Sequence, residues 1–239
     1  MTTPDWPASA RQLTDALELA APPIAITFCE RAPDDVAPFD APMPEPMADG
    51  RTGRVPAGCV FWMKATDATF STVAADHGNC SVGSLTHGFK TLEEIAGNSD
   101  VAALLDTGWV TMDVMPQIPV VSDQPEAIVY GPLADTPVDP DVVLIRVSGK
   151  QLMVLHDAVP SMHLEGKPQC HIVAMAKGGE VAASVGCALS RVRTGMPARE
   201  MTCAIPGSRL GEVLDALATT TIADSAVASY ALEDARRFG

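Results

Sequence analysis

Four of the six cysteines fall in two glycine-bearing stretches of the chain. One runs from Gly58-Cys59-Val60 to Asp76-His77-Gly78-Asn79-Cys80-Ser81-Val82-Gly83; the other runs from Gln169-Cys170-His171 to Ser184-Val185-Gly186-Cys187-Ala188. Thiolates are soft ligands, and four of them brought together from separate loops can hold an iron–sulfur cluster, because geometry and not close spacing sets that ligation. The separations from Cys59 to Cys80 and from Cys170 to Cys187 are too long for the knuckle of a zinc finger or ribbon. Gly58, Gly83 and Gly186 would let backbone N–H groups approach inorganic sulfide. Cys59, Cys80, Cys170 and Cys187 are therefore the expected metal ligands, with a [4Fe–4S] cluster as the expected cofactor. Cys29 and Cys203 lie inside apolar runs and are expected in the core.

A metal-free chemistry competes with this one. His77 precedes Cys80 by three positions, and an imidazole beside a thiol can generate a nucleophilic thiolate, with Cys80 as nucleophile and His77 as its partner. A third reading is a sensor domain, with haem or another small molecule held among Phe61, Trp62, Met63 and His87. Arg191, Arg193 and Arg199 follow Cys187. Of these, Arg191 is the expected cofactor-side cation, able to bind an anionic substrate or to stand behind a cluster. There is no Gly-x-Ser-x-Gly elbow, no Gly-x-Gly-x-x-Gly fingerprint and no Walker loop.

The elements that must position these residues are legible in part. Residues 8–20 carry a helical apolar stripe through Leu13, Leu17 and Ala20, and Pro22-Pro23 ends it. Ile24 to Cys29 reads as a buried strand. Residues 32–56 contain six prolines and read as a long loop without a core of its own, either a flexible connector or a lid over the site that begins at Cys59. Cys59–Lys64 and Ser81–Phe89 suit short helices, and Thr91 with Glu94 forms a capping box. Strands are expected at 68–73, 127–133, 142–147, 181–185 and 201–205. Helices are expected at 150–159, 170–177, 209–217 and 225–238. Strand–helix alternation with irregular loops gives an α/β or α+β fold, a mixed sheet flanked by helices, in one domain over 1–239.

Composition bounds the partners. The formal net charge of -14 repels phosphate backbones and anionic lipid surfaces, so neither nucleic acid nor membrane is an expected partner. A small molecule or a redox partner protein is expected instead, and a homo-oligomer is compatible with the composition. The amino terminus has no basic start followed by an apolar run, and no stretch approaches a membrane span. Six cysteines without an export signal read as cytoplasmic thiols or ligands and not as a disulfide framework.

The chain resembles the DUF169 family of bacterial and archaeal proteins. The likeness rests on Pro22-Pro23-Ile24-Ala25-Ile26 after a first helix, the isolated Cys59, Asn79-Cys80-Ser81-Val82-Gly83 and Pro140-Asp141-Val142-Val143-Leu144. It continues with Cys170 in a helix, Ser184-Val185-Gly186-Cys187 followed by Arg191, and Ile205-Pro206 before the last helical region. These pieces span residues 10 to 217 in order. The resemblance implies that Cys59, Cys80, Cys170 and Cys187 stand at the family's recurring cysteine positions, while Cys29 and Cys203 are particular to this chain. It implies no reaction. Leu189 departs from the pattern, since family members often have Gly two residues after the last cysteine.

Overall fold

Along the central strands, neighbouring residues enter opposite cores, as the two-residue period of a pleated strand requires. Val142 and Leu144 face one side with Ile24, Ile26, Ile128 and Tyr130, while Val143, Ile145 and Val147 face the other with Ala25, Cys203 and Ile205. A strand buried on both faces has no polar alternation, which is why these segments read as continuous apolar runs.

The computed structural model describes residues 4–40, 58–78 and 80–238. In chain order the elements are α1 (Trp6–Leu17), β1 (Ile24–Cys29), α2 (Gly58–Lys64), β2 (Phe70–Val73), α3 (Ser81–Thr86), α4 (Leu92–Ile95) and α5 (Ser99–Asp106). Then come β3 (Ala127–Pro132), β4 (Val142–Val147), α6 (Gly149–Ala158), β5 (His163–Glu165), α7 (His171–Lys177), β6 (Ala182–Ser184), α8 (Ala188–Thr194), β7 (Met201–Pro206) and α9 (Leu210–Phe238). The strands form one mixed sheet in the order β2-β3-β1-β4-β7-β6-β5. The β5–β6 pair is parallel and the other pairs are antiparallel. The fold is α+β.

Helices α1, α6 and α9 contribute Leu13, Leu17, Leu155, Val213 and Leu217 to the core on one face. The other face is covered by α2 and α7, through Phe61, Trp62, Ile172 and Val173. A third, smaller cluster of Val82, Leu85, Ile95, Val101, Val110 and Ile118 joins α3, α4, α5 and the loop that follows. Cys170 packs against both this cluster and the second core, so the cysteine-bearing helices meet where two hydrophobic clusters join.

Local chemistry explains the boundaries. Asp5 caps α1, its side chain accepting the Ala8 N–H. At α4 the Thr91 hydroxyl accepts the Glu94 N–H while the Glu94 carboxylate accepts the Thr91 N–H at 2.7 Å, the expected capping box. Two expectations are revised. The segments 209–217 and 225–238 belong to a single helix, α9, of 29 residues. The intervening Ala218–Asp224 stretch holds no glycine or proline, and the Thr220 and Thr221 hydroxyls donate to the carbonyls of Ala216 and Leu217, four residues back. The start of the Pro-rich segment is also no coreless loop. Phe39 N–H donates to Ser71 O at 2.7 Å, Ser71 N–H donates to Ala37 O at 2.9 Å, and the buried Phe39 ring packs against Phe61 and Phe70. The rest of that segment, 41–56, and its expected lid role lie outside the described residues.

Candidate functional site: a four-cysteine cavity

Each of the four expected ligands sits at the start of a short helix. Cys59 is the second residue of α2, and Cys80, Cys170 and Cys187 immediately precede α3, α7 and α8. First-turn N–H groups have no partner within their helix, so a sulfur placed there meets donors. Ser190 N–H donates to Cys187 Sγ at 3.4 Å. The loop before α3 is held from the neighbouring helix: Ser81 N–H and Oγ both donate to the Asp100 carboxylate, at 2.9 and 2.6 Å, and Asn98 Nδ2 donates to Ser81 Oγ at 2.7 Å.

The four cysteines line one cavity of about 30 Å³, together with Val82, Trp109, Leu189 and Arg193. That space is about two to three times the minimum for one water. Its walls are almost wholly apolar. Leu189, the departure from the family pattern, supplies part of that wall and also packs against the third hydrophobic cluster. At the rim, the Lys167 ammonium stands 4.6 Å from the Trp109 ring centre. Among the described residues, no group of three or more His, Cys, Asp or Glu side chains is arranged to hold a metal ion.

The thiols share their electrostatics. Burial, reinforced by the neighbouring Cys80 and Cys187, pushes the Cys59 thiol up to about 11. Burial and the same kind of neighbours, Cys80 and Cys59 foremost, raise Cys170 well above the ordinary thiol range. Cys80 is also raised by burial, against the opposing charge of Arg193 and the Gly83 amide. All three are protonated at neutral pH.

The other expected site residues are placed as follows. The Cys80 N–H donates to the His77 carbonyl at 3.4 Å, but the His77 imidazole is turned away from the Cys80 thiol. Its Nε2 pairs with Thr72 Oγ1 at 3.0 Å, its Nδ1 has no partner among the described residues, and its ring packs between Phe61 and Phe89 at 4.8 and 4.7 Å. Burial, with His87 5.5 Å away, holds His77 neutral and well below its usual range. His87 Nδ1 contacts Gly83 O at 2.8 Å, and burial pushes this imidazole down to about 4. Phe61 and Trp62 are core residues, and a space of about 10 Å³ lies beside Trp62 and Met63.

Arg191 does not face the cysteines. Its Nη2 donates to Val185 O and Glu200 O, both at 2.8 Å, and its Nη1 donates to Pro197 O at 3.0 Å and reaches Ala198 O at 3.5 Å. It is a brace that ties the loop before Cys187 to the loop after α8. Gly186 adopts a φ of +107° beneath it, and a Cβ there would lie 2.9 Å from Arg191 Nε. The cation that reaches the cavity is Arg193, two residues on. Nothing in the spacing distinguishes the two arginines; the half-turn between them in α8 does. Gln169, Ser190 and Trp109 are the other lining residues that the sequence did not single out. A larger depression, about 1000 Å³, lies elsewhere, between Phe89, Glu94, Met115 and Pro125, and none of the cysteines lines it.

Comparison with known proteins adds a family and no chemistry. The DUF169 family model, described as an uncharacterised ArCR, matches residues 12–216. No curated protein and no solved structure matches the chain.

Proposed function

The chain belongs to the DUF169 family, and we propose from its own geometry that it binds a four-iron cluster through Cys59, Cys80, Cys170 and Cys187 and works as a redox protein. The observation that carries this is the convergence of four thiols, from two stretches some 90 residues apart in the chain, on one apolar-walled cavity. On a single ion with bonds of 2.3 Å, sulfurs stand about 3.8 Å apart. In a cluster each thiolate binds a different iron, so the sulfurs surround a space and need not crowd one point. The four thiols line such a space from four separate helix starts, and the cavity of about 30 Å³ would have to widen around an eight-atom iron–sulfur core.

The surroundings suit it as well. Thiolates carry negative charge into a dry site, and Arg193 lies beside Cys80 to offset it. The Ser190 amide aimed at Cys187 Sγ is the kind of N–H···S contact that tunes cluster potential. A bound cluster would supply one-electron transfer. The chain's own residues hold it, exclude water with Val82, Leu189 and Trp109, and present an acidic surface to which a basic redox partner would be drawn.

The raised thiols weaken the nucleophile reading of Cys80, because the thiolate is the reactive form and His77 is turned toward Thr72. The test is iron and acid-labile sulfide in anaerobically purified protein, repeated on single Cys→Ser variants. Loss of iron at the four cavity positions, with iron retained in Cys29→Ser and Cys203→Ser, supports the proposal. Iron absent from the wild-type protein removes it.

A further inference from the structure

Helix α9 outruns the body it packs on. Its last buried residue is Leu217, Thr221 and Asp224 are half-buried, and every described side chain beyond Asp224 except Asp234 is exposed. The projecting stretch is nonetheless apolar. Ile222, Val227, Tyr230, Leu232 and Phe238 are 62–89% exposed, and Ser225 to Leu232 holds no charge. Its own side chains support it little, through a Ser229 hydroxyl bond to the Ser225 carbonyl and an Asp234–Arg237 ion pair at 3.7 Å. A lone helix of some 20 residues is marginal in water, because most helical stability comes from packing an apolar face. Exposed apolar surface of this extent marks a contact site.

The two ends of the projection carry opposite charge. At its root, where α9 leaves α1 and α6, lies a depression of about 230 Å³ lined in part by Asp15, Glu18, Lys150 and Asp224. Three carboxylates are set against one ammonium there, and that ammonium stands 3.9 Å from Asp224. At the tip are Arg236 and Arg237. The rise from Asp224 to Arg237 is about 20 Å.

What fits a basic tip, a neutral apolar shaft and an acidic root is the same object turned end for end. We infer that residues 218–238 pair antiparallel with the same segment of a second copy of the chain, the Arg236–Arg237 tip of each seated against the Asp15–Glu18–Asp224 root of the other. When Arg237 stands level with the second copy's Asp224, Tyr230 stands level with Ala231, Leu232 with Ser229 and Phe238 with Ala223. At these levels large side chains meet small ones. The charge of the body selects this direction. Each chain carries a formal -14, and a parallel pair would set two such bodies side by side. The antiparallel pair holds them about 20 Å apart, beyond the ~8 Å Debye length at physiological salt. The same charge repels an anionic lipid surface. An overlap this short makes the pair a concentration-dependent one. It does not depend on the proposed cluster.

Sedimentation equilibrium of the full chain should show a species of twice the 25.0 kDa chain mass that dissociates on dilution and on raising the salt. Val227→Glu/Leu232→Glu, at exposed positions, should raise the dimer Kd at least about tenfold, with the body still folded by near-ultraviolet circular dichroism. Arg236→Glu/Arg237→Glu and Glu18→Lys/Asp224→Lys should each weaken self-association by a similar factor. Mixing those two variants should restore association, because both tip–root contacts are then attractive. A monomer up to millimolar concentration overturns the inference, as does a dimer that survives Val227→Glu/Leu232→Glu. A dimer lost in that variant but unmoved by the charge reversals overturns it too, since the tip would then not meet the root. Iron is no part of the readout, so failure of the cluster proposal leaves these outcomes unchanged.

Discussion

Acidification should destabilise the protein through His87, by an amount the structure sets. Burial pushes this imidazole from 6.5 down to about 4, while its Gly83 carbonyl contact opposes the shift. The unfolded chain therefore takes up a proton near pH 6.5 that the folded chain refuses until about pH 4. The contribution is complete above pH 6.5 and is lost as the pH falls through that window, with a slope approaching about 1.4 kcal/mol per pH unit. Over the roughly 2.5 units between the two values the loss is about 3 kcal/mol, a large part of the ~5–15 kcal/mol that holds a domain together. His87→Gln removes the titration and keeps a donor for the Gly83 carbonyl. Urea denaturation of both proteins at pH 7, 6, 5 and 4.5 isolates the term, because acid effects elsewhere are common to the pair. The stability advantage of wild type over His87→Gln should shrink steadily over that range. Parallel pH profiles for the two proteins would refute the reasoning and place His87 in a wetter setting than the one described here.

Two further outcomes are expected. Arg191→Met should cost on the order of 2–3 kcal/mol, read as a lower Tm, because the brace between the loops flanking α8 is lost. Arg191→Lys should not restore it, since one ammonium cannot span carbonyls that a planar guanidinium reaches at once, and wild-type Tm in either variant would contradict the role. In metal-free protein, burial lifts the Cys59 and Cys203 thiols from 9.0 to about 11 and about 12. Their contribution is whole below pH 9 and is lost as the pH rises through those values, so denaturation between pH 8 and 10.5 should show falling stability. The fall should be shallower in Cys203→Ala; identical slopes would show that Cys203 does not titrate this way.

What could be read in advance divides along the line between local and non-local physics. Strands β1, β4 and β7 announce themselves because burial on both faces leaves apolar runs, and the Thr91–Glu94 box because its two bonds lie within four residues. The set Cys59, Cys80, Cys170 and Cys187 was also legible, from glycine neighbours and from the family likeness. That they meet in one cavity was not. It depends on a sheet order that brings β4, β7 and β6 between segments distant in sequence, and on Cys170 sitting where two hydrophobic clusters join. His77 and His87 illustrate the same limit. Turn residues beside them suggest solvent, yet packing encloses both rings among Phe61, Phe89 and Trp62. The choice between Arg191 and Arg193 is settled by which side of α8 faces Cys80, a matter of a few ångströms that composition does not encode.

The most direct measurement of the central claim is iron and acid-labile sulfide per chain in protein purified and kept under strict anaerobiosis, with a visible spectrum taken before and after dithionite. The account predicts about four of each per chain and an absorption band that dithionite bleaches. A colourless protein with less than one iron per chain would contradict it.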